Sequence, residues 1–150
     1  VTEDGPELSI IRLLRADRKR VWDLWTNPEE FPHWHHPRGF ITPIESISID
    51  LRVGGAYVYT LINARTGERF ATAGVYLDII PLERLVFTWG DPDTPVEKAP
   101  VASVDLRDSQ GQTEMTFRLR RMETIPSDAD VRTGWREAIG NLETRINATQ

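Results

Sequence analysis

The chain has 150 residues, 39% of them hydrophobic and 27% charged, and a formal net charge of −5. That is one domain's worth of chain, large enough to bury roughly 70% of its unfolded surface without staples, and its 150 residues are read as a single domain. It has no cysteine, which excludes disulfides, thiolate metal sites and cysteine nucleophiles. It also has neither the basic footprint that duplex nucleic acid demands nor an apolar run approaching the ~20 residues of a membrane span.

Taken in order, "PELSIIRLLRA" is rich in β-formers and predicts a first strand over roughly 8–15. Asp17 offers an N-cap, and Val21, Leu24 and Trp25 recur at i, i+3, i+4, predicting a short amphipathic helix over roughly 18–26. In "TNPEEF", Asn27 and Pro28 have the order of a cap and a first helical position, predicting a second short helix. Pro32 and Pro37 then bracket all three histidines, in "EEFPHWHHPRGF", and bar a long helix there.

The period changes after Phe40. "ITPIESISIDL" places Ile47, Ile49 and Leu51 at spacing two, and "GGAYVYTLI" does the same with Tyr57, Tyr59 and Leu61. "RFATAGVYLDII", "RLVFTW", "APVASVDL" and "TEMTFRLRR" follow, separated by "RTGE", Pro81, "GDPDTP" and "DSQGQ". Six successive strands with no helix between them form an antiparallel meander, because parallel pairing needs long crossovers. From Ser127, a candidate cap, Val131, Trp135, Ala138, Ile139, Leu142 and Ile146 lie at helical spacing. They predict a helix over roughly 128–147 with one apolar stripe. The fold class is α+β: a curved seven-stranded antiparallel sheet around a long C-terminal helix, with two short helices after the first strand.

A curved sheet and a single helix leave a gap between them. The residues placed on the concave side are large: Tyr57, Tyr59, Phe70, Phe87, Trp89, Phe117 and Trp135. Aromatic walls with a few polar tips line many small-molecule sites, although rings at strand spacing are more often plain core. Trp34, His35 and Phe40 are expected at the mouth and Ile139 on the helix side.

A zinc site needs three or four converging ligands, and an extended or helical backbone brings only two of His33, His35 and His36 together, so no metal is expected. No "GxSxG" elbow or phosphate loop is present. His35 and His36 are the near-neutral candidates for proton transfer. Glu83-Arg84 reads as an ion pair at a turn, and "RLRR" as a solvated face.

Four segments resemble the activator-of-Hsp90-ATPase-homologue family, within the START/Bet v 1-like (SRPBCC) superfamily of helix-grip proteins. They are "RADRKRVWDLWTNPEEFPHW", "DLRVGGAYVY", "GVYLDIIPLERLVFTW" and "GWREAIGNLETRI", in order along nearly the whole chain. The resemblance implies a helix-grip fold. Superfamily relatives bind lipids, sterols, hormones or polyketides; some cyclise or dehydrate aromatic polyketides, and some serve antibiotic resistance by sequestration. The chain carries no second domain of the co-chaperone kind, so Hsp90 stimulation is not expected.

The function expected is therefore non-enzymatic binding of a small hydrophobic or aromatic molecule between sheet and helix. The alternatives are a polyketide cyclase or dehydratase-like enzyme using His35 or Tyr59, and a co-chaperone-like interaction module. No cofactor, nucleic acid or membrane span is implied. A monomer or weak homodimer in the cytoplasm is expected, and nothing at the start of the chain supports export.

Overall fold

In a computed structural model, residues 7–125 and 128–148 are described. Strand β1 (Leu8–Leu14) is followed by α1 (Arg18–Thr26), α2 (Phe31–Trp34), β2 (Phe40–Ile41) and β3 (Ser48–Ile49). Then come β4 (Ala56–Asn63), β5 (Arg69–Ile80), β6 (Arg84–Thr88), β7 (Val101–Ser109), β8 (Gln112–Arg120) and α3 (Asp128–Ala148). The sheet is antiparallel throughout, in the order β1-β8-β7-β6-β5-β4-β2, with β3 also paired to β4.

The predicted meander is β4 to β8, and β1 closes on β8 with Ile10 opposite Phe117. The β7–β8 hairpin turns through Gln110 and Gly111, both at positive φ, the two-residue primed turn that suits the twist of paired strands. Among the described residues no helix is long and apolar enough to cross a membrane.

One predicted strand is two. The segment "ITPIESISIDL" breaks into β2 and β3 around a 3-10 turn, Ile44–Ser46, that starts after Pro43. Proline brings no N–H to a ladder. The Ser46 hydroxyl donates to the Pro43 carbonyl at 2.7 Å and accepts from the Thr60 N–H at 3.1 Å, so a side chain replaces one step of strand pairing. Leu51 falls beyond β3 and is exposed. The second helix also starts later than predicted. Asn27 ends α1, its N–H bonded to the Asp23 carbonyl, and its side chain accepts from the Glu29 N–H in a turn. Pro32 sits at the start of α2, where its missing N–H costs nothing. Helix α3 lies where predicted, but its Ser127 cap falls outside the described residues.

Helix α1 packs on β7 and β8, α3 packs on β1 and α2, and the helices are joined by charge. Asp17 caps α1 by accepting from the Arg20 N–H at 2.9 Å. Glu30, between α1 and α2, receives Arg20 from α1 and Arg145 from α3, each at 3.1 Å. Burial alone would raise the Glu30 pKa, but hydrogen bonds from both guanidiniums and their charges hold it below the ordinary value. Arg12 of β1 pairs with Glu143 of α3 at 3.2 Å. The Glu83-Arg84 ion pair of the sequence reading gives way to another arrangement: Arg84 reaches Asp78 at 3.8 Å and Asp105 at 3.6 Å on the strands beside it. Arg118 and Arg120 are exposed, as expected of a solvated face.

Most of the space between sheet and helix is filled with the protein's own rings. Trp25 stacks against Phe117 and Trp135, with centroids 5.9 and 6.3 Å apart, and donates its indole N–H to the Met115 sulfur at 3.4 Å. Trp34 is 0% exposed and donates to the Leu24 carbonyl at 2.9 Å, tying α2 to α1. Gly74 lets the sheet pass beneath Tyr57: a Cβ there would lie 1.9 Å from the Thr88 carbonyl oxygen and 2.7 Å from the Tyr57 ring. Just beyond it, between Tyr76 and Asp78, the β5–β6 register shifts. Such irregularities bend a strand and increase its twist.

Candidate functional site

The rings do not fill the whole interior. At the end of α3 nearest its N-terminus, a cleft of about 180 Å³ opens to solvent between α3, the segment after α2 and strand β4. Its lining sorts by burial. The buried floor is His35, Tyr59, Trp135 and Ala138; the half-buried walls are His36, Pro37, Leu61, Trp89, Val131 and Gly134; Asp130 is exposed at the rim.

The cleft has a simple origin in the sequence. Val131, Gly134 and Ala138 fall on one stripe of α3 at helical spacing, and two of them are the smallest residues a helix can offer. A side chain missing from a packed face leaves a void unless the surroundings collapse. Beside Pro37, Gly134 leaves room for a methyl group: an added Cβ would meet the Pro37 ring at 3.6 Å, an ordinary contact. The segment after α2 is fastened to α3 at two points. The Asn141 side-chain amide donates to the His36 carbonyl, and the Arg38 N–H donates to the Glu137 carboxylate, each at 3.0 Å.

The polar groups of the cleft are few. Tyr59 accepts a hydrogen bond from the Trp89 indole at 3.1 Å. Burial raises the pKa of its phenol, and the hydrogen bonds with Trp89 and Thr72 only partly oppose that, so the group stays un-ionised. The Trp135 indole N–H is buried and has no acceptor among the described residues.

His35 is 6% exposed and packed among rings: Trp34 at 4.5 Å, Phe31 and Tyr59 at 4.7 Å, and Trp135 at 5.4 Å between centroids. Burial lowers its pKa to about 3; its own backbone opposes that slightly and neighbouring His36 adds to it. The imidazole is neutral across the ordinary pH range. The three histidines differ in burial, with His33 exposed and His36 half-buried. Among the described residues no three His, Asp or Glu side chains come together to hold a metal ion.

Of the residues singled out from sequence, His35, Tyr59, Trp89 and Trp135 meet in the cleft. Trp34 lies beneath the floor with its ring 4.5 Å from His35. Tyr57 and Phe87 line a separate void of about 10 Å³ behind His35, the size of a single water molecule. Phe117 and Ile139 are fully buried in the core, with Phe117 against Trp135 at 4.5 Å.

Phe70 has the predicted facing, opposite Leu61 in the β4–β5 register. It is 44% exposed, with its ring 5.9 Å from Phe40. Phe40 pairs with Asn63 of β4 and is half-buried. These two rings form an apolar shelf that continues outward from Leu61. The sequence reading missed Leu61, Val131, Gly134 and Ala138 as lining. The first was visible in the Tyr57–Tyr59–Leu61 alternation, and the others as the small members of the α3 stripe.

Residues 15–147 match the family described as Activator of Hsp90 ATPase homolog 1-like protein. A comparison with curated proteins returns no match. Among solved structures, a Chromobacterium violaceum protein superposes with a TM-score of 0.82 at 23% identity, covering 94% of this chain and 96% of that one. An AHSA1 protein from Silicibacter pomeroyi gives 0.81 at 17% identity, covering 96% and 99%. An AHSA1-like protein from Aeromonas hydrophila gives 0.76 at 17% identity, covering 95% and 92%. At these identities the likeness is one of fold.

Proposed function

The chain belongs to the family of Activator of Hsp90 ATPase homolog 1-like proteins, and from that premise we propose that it is a non-enzymatic binding protein for a small hydrophobic or aromatic molecule held in the cleft between sheet and α3. The observation that carries the reading is the cleft itself: an opening of about 180 Å³ whose floor and walls are rings and aliphatic side chains. Size narrows the guest. An apolar cavity of about 150 Å³ accommodates a benzene-sized molecule, whereas drug-sized ligands occupy roughly 300–1,000 Å³. The interior therefore takes one ring or a short chain, and anything longer lies out along the Leu61–Phe70–Phe40 shelf. A role in metabolite sequestration or resistance fits such a site.

His35 favours binding over catalysis. A general base works best with a pKa near the operating pH, and an imidazole held at about 3 takes up a proton poorly at neutrality. It remains a good neutral hydrogen-bonding group.

The test is titration with single-ring aromatics, followed by Trp fluorescence and calorimetry. Two of the lining residues are tryptophans, so a saturable change in emission is expected. Gly134→Leu, which places a side chain in the opening, should abolish that change while leaving the thermal midpoint at or above the parent's. Absence of saturable binding by the parent protein, or undiminished binding by Gly134→Leu, overturns the proposal.

A further inference from the structure

The sheet ends at β1, and no strand among the described residues pairs with the outer edge of β1. The register shows which backbone groups that edge leaves open. The two-residue turn at Gln110 and Gly111 makes Ser109 and Gln112 a hydrogen-bonded pair, as such turns do. Bonded and non-bonded pairs alternate along an antiparallel ladder. Followed up β8 and across to β1, the alternation bonds Leu8, Ile10, Arg12 and Leu14 to β8, while Ser9, Ile11 and Leu13 turn their N–H and C=O groups outward. A side chain stands in at one of these groups: the Arg12 guanidinium donates to the Ile11 carbonyl at 2.8 Å.

Sheet edges are commonly guarded by charge, proline or a bulge. The solvent-facing row of β1 is Ser9, Ile11 and Leu13, with Ile11 57% and Leu13 59% exposed. No charge interrupts that row. An open ladder beside exposed apolar side chains is a template for another strand.

The residues of β1 themselves specify that strand. A second copy meeting this edge about a twofold axis forms an antiparallel pair. Directly opposed residues share a face of the sheet. Exposed Ile11 and Leu13 therefore oppose odd-numbered residues, and buried Leu8, Ile10 and Leu14 oppose even-numbered ones. The axis must then pass through a residue, and Ile10, Ile11 and Arg12 are the central choices. Centred on Arg12, the pair sets one guanidinium against the other and Glu7 against Asp17. Centred on Ile10, it sets Glu7 against Leu13. Centred on Ile11, it sets Leu8 against Leu14, Ser9 against Leu13, and Glu7 against Arg15 at both ends. Opposite charges across strands stabilise pairing and like charges oppose it, so charge selects the register centred on Ile11.

We infer that β1 is a docking edge for a second copy of this chain, the two strands pairing antiparallel about Ile11 so that the two sheets continue as one. The interface needs nothing from the cleft and stands apart from the binding function.

Sedimentation equilibrium of the full chain at low salt, over a concentration series, tests it. The parent protein should show a reversible monomer–dimer equilibrium. Ile11→Lys brings two ammonium groups together on the axis and should abolish the dimer, while the exposure of this side chain leaves the thermal midpoint near the parent's. Glu7→Arg and Arg15→Glu each place like charges opposite one another at both ends, and each should weaken association about tenfold. Glu7→Arg also makes the chain less negative overall, so general repulsion would change in the other direction. The double variant exchanges the two charges and should restore the dimer. A parent protein that stays monomeric at millimolar concentration overturns the inference. So does a dimer that Ile11→Lys leaves intact, or a double variant that associates no better than either single reversal.

Discussion

His35 shows how much one residue's surroundings decide. Histidine is the side chain most ready to change charge near neutrality, yet here it resists, because the rings packed around it shield the imidazolium from most of the water that would hydrate it. The sign of the consequence is definite. The unfolded chain protonates this residue near the ordinary value of 6.5, while the folded protein resists until about pH 3. Between those values the unfolded state binds the extra proton, so stability is complete above pH 6.5 and declines as the pH falls. The expected contribution is a loss of about 1.4 kcal/mol per pH unit within that window. Urea melts at a series of pH values should show this component in the parent protein and not in His35→Phe. Gly74 is the second residue of this kind. An alanine there would have its Cβ 1.9 Å from the Thr88 carbonyl, and Gly74→Ala should cost about 3 kcal/mol by equilibrium unfolding.

Among the elements, α3 carries two glycines whose difference is informative. Gly134 faces the cleft, whereas Gly140 is exposed, with nothing within 4 Å of an added Cβ. Each is costly to a helix interior, so Gly134→Ala and Gly140→Ala should each stabilise by about 0.5–1 kcal/mol. Only the first should weaken the binding of aromatic probes; parallel melts and titrations of the two variants check both halves. The same helix marks the limit of what sequence could say. Its apolar stripe was legible from Val131, Trp135, Ala138, Ile139, Leu142 and Ile146, because burial imposes a period of 3.6. What the stripe does not encode is which of its members meet rings and which meet space. Ile139 and Trp135 are both buried, yet only Trp135 borders the cleft. Phe70 is the strand counterpart: alternation assigned its face, opposite Leu61, but not that it would be 44% exposed there, since period two says nothing of what packs over a face. At β2 and β3 periodicity itself misled: the Ile47, Ile49 and Leu51 alternation begins only after the turn built by Pro43 and Ser46, and β3 ends at Ile49. His35 was legible as a residue of interest; its depth was not, because it follows from packing between α2, β4 and α3.

At the scale of the whole molecule, Glu30 is a polar link that joins three helical elements. One carboxylate receives arginines from α1 and α3, so Glu30→Gln should lower stability at pH 7 by about 1–2 kcal/mol. The difference should fade on acidification below the ordinary glutamate range, where the parent carboxylate also loses its charge; chemical denaturation at pH 7 and pH 3 would reveal it. A different consequence belongs to the two hydrogen bonds that fasten the segment after α2 to α3, from Asn141 to the His36 carbonyl and from Arg38 to Glu137. They hold the segment that borders the opening, and Asn141, Arg38 and Glu137 do not line it. A visitor wider than the doorway must wait for this seam to part, so the seam governs the pace of arrival and departure more than the strength of the stay. Asn141→Leu should accordingly speed both exchange rates by a similar factor, with little change in their ratio, as stopped-flow fluorescence with a bound aromatic probe would record.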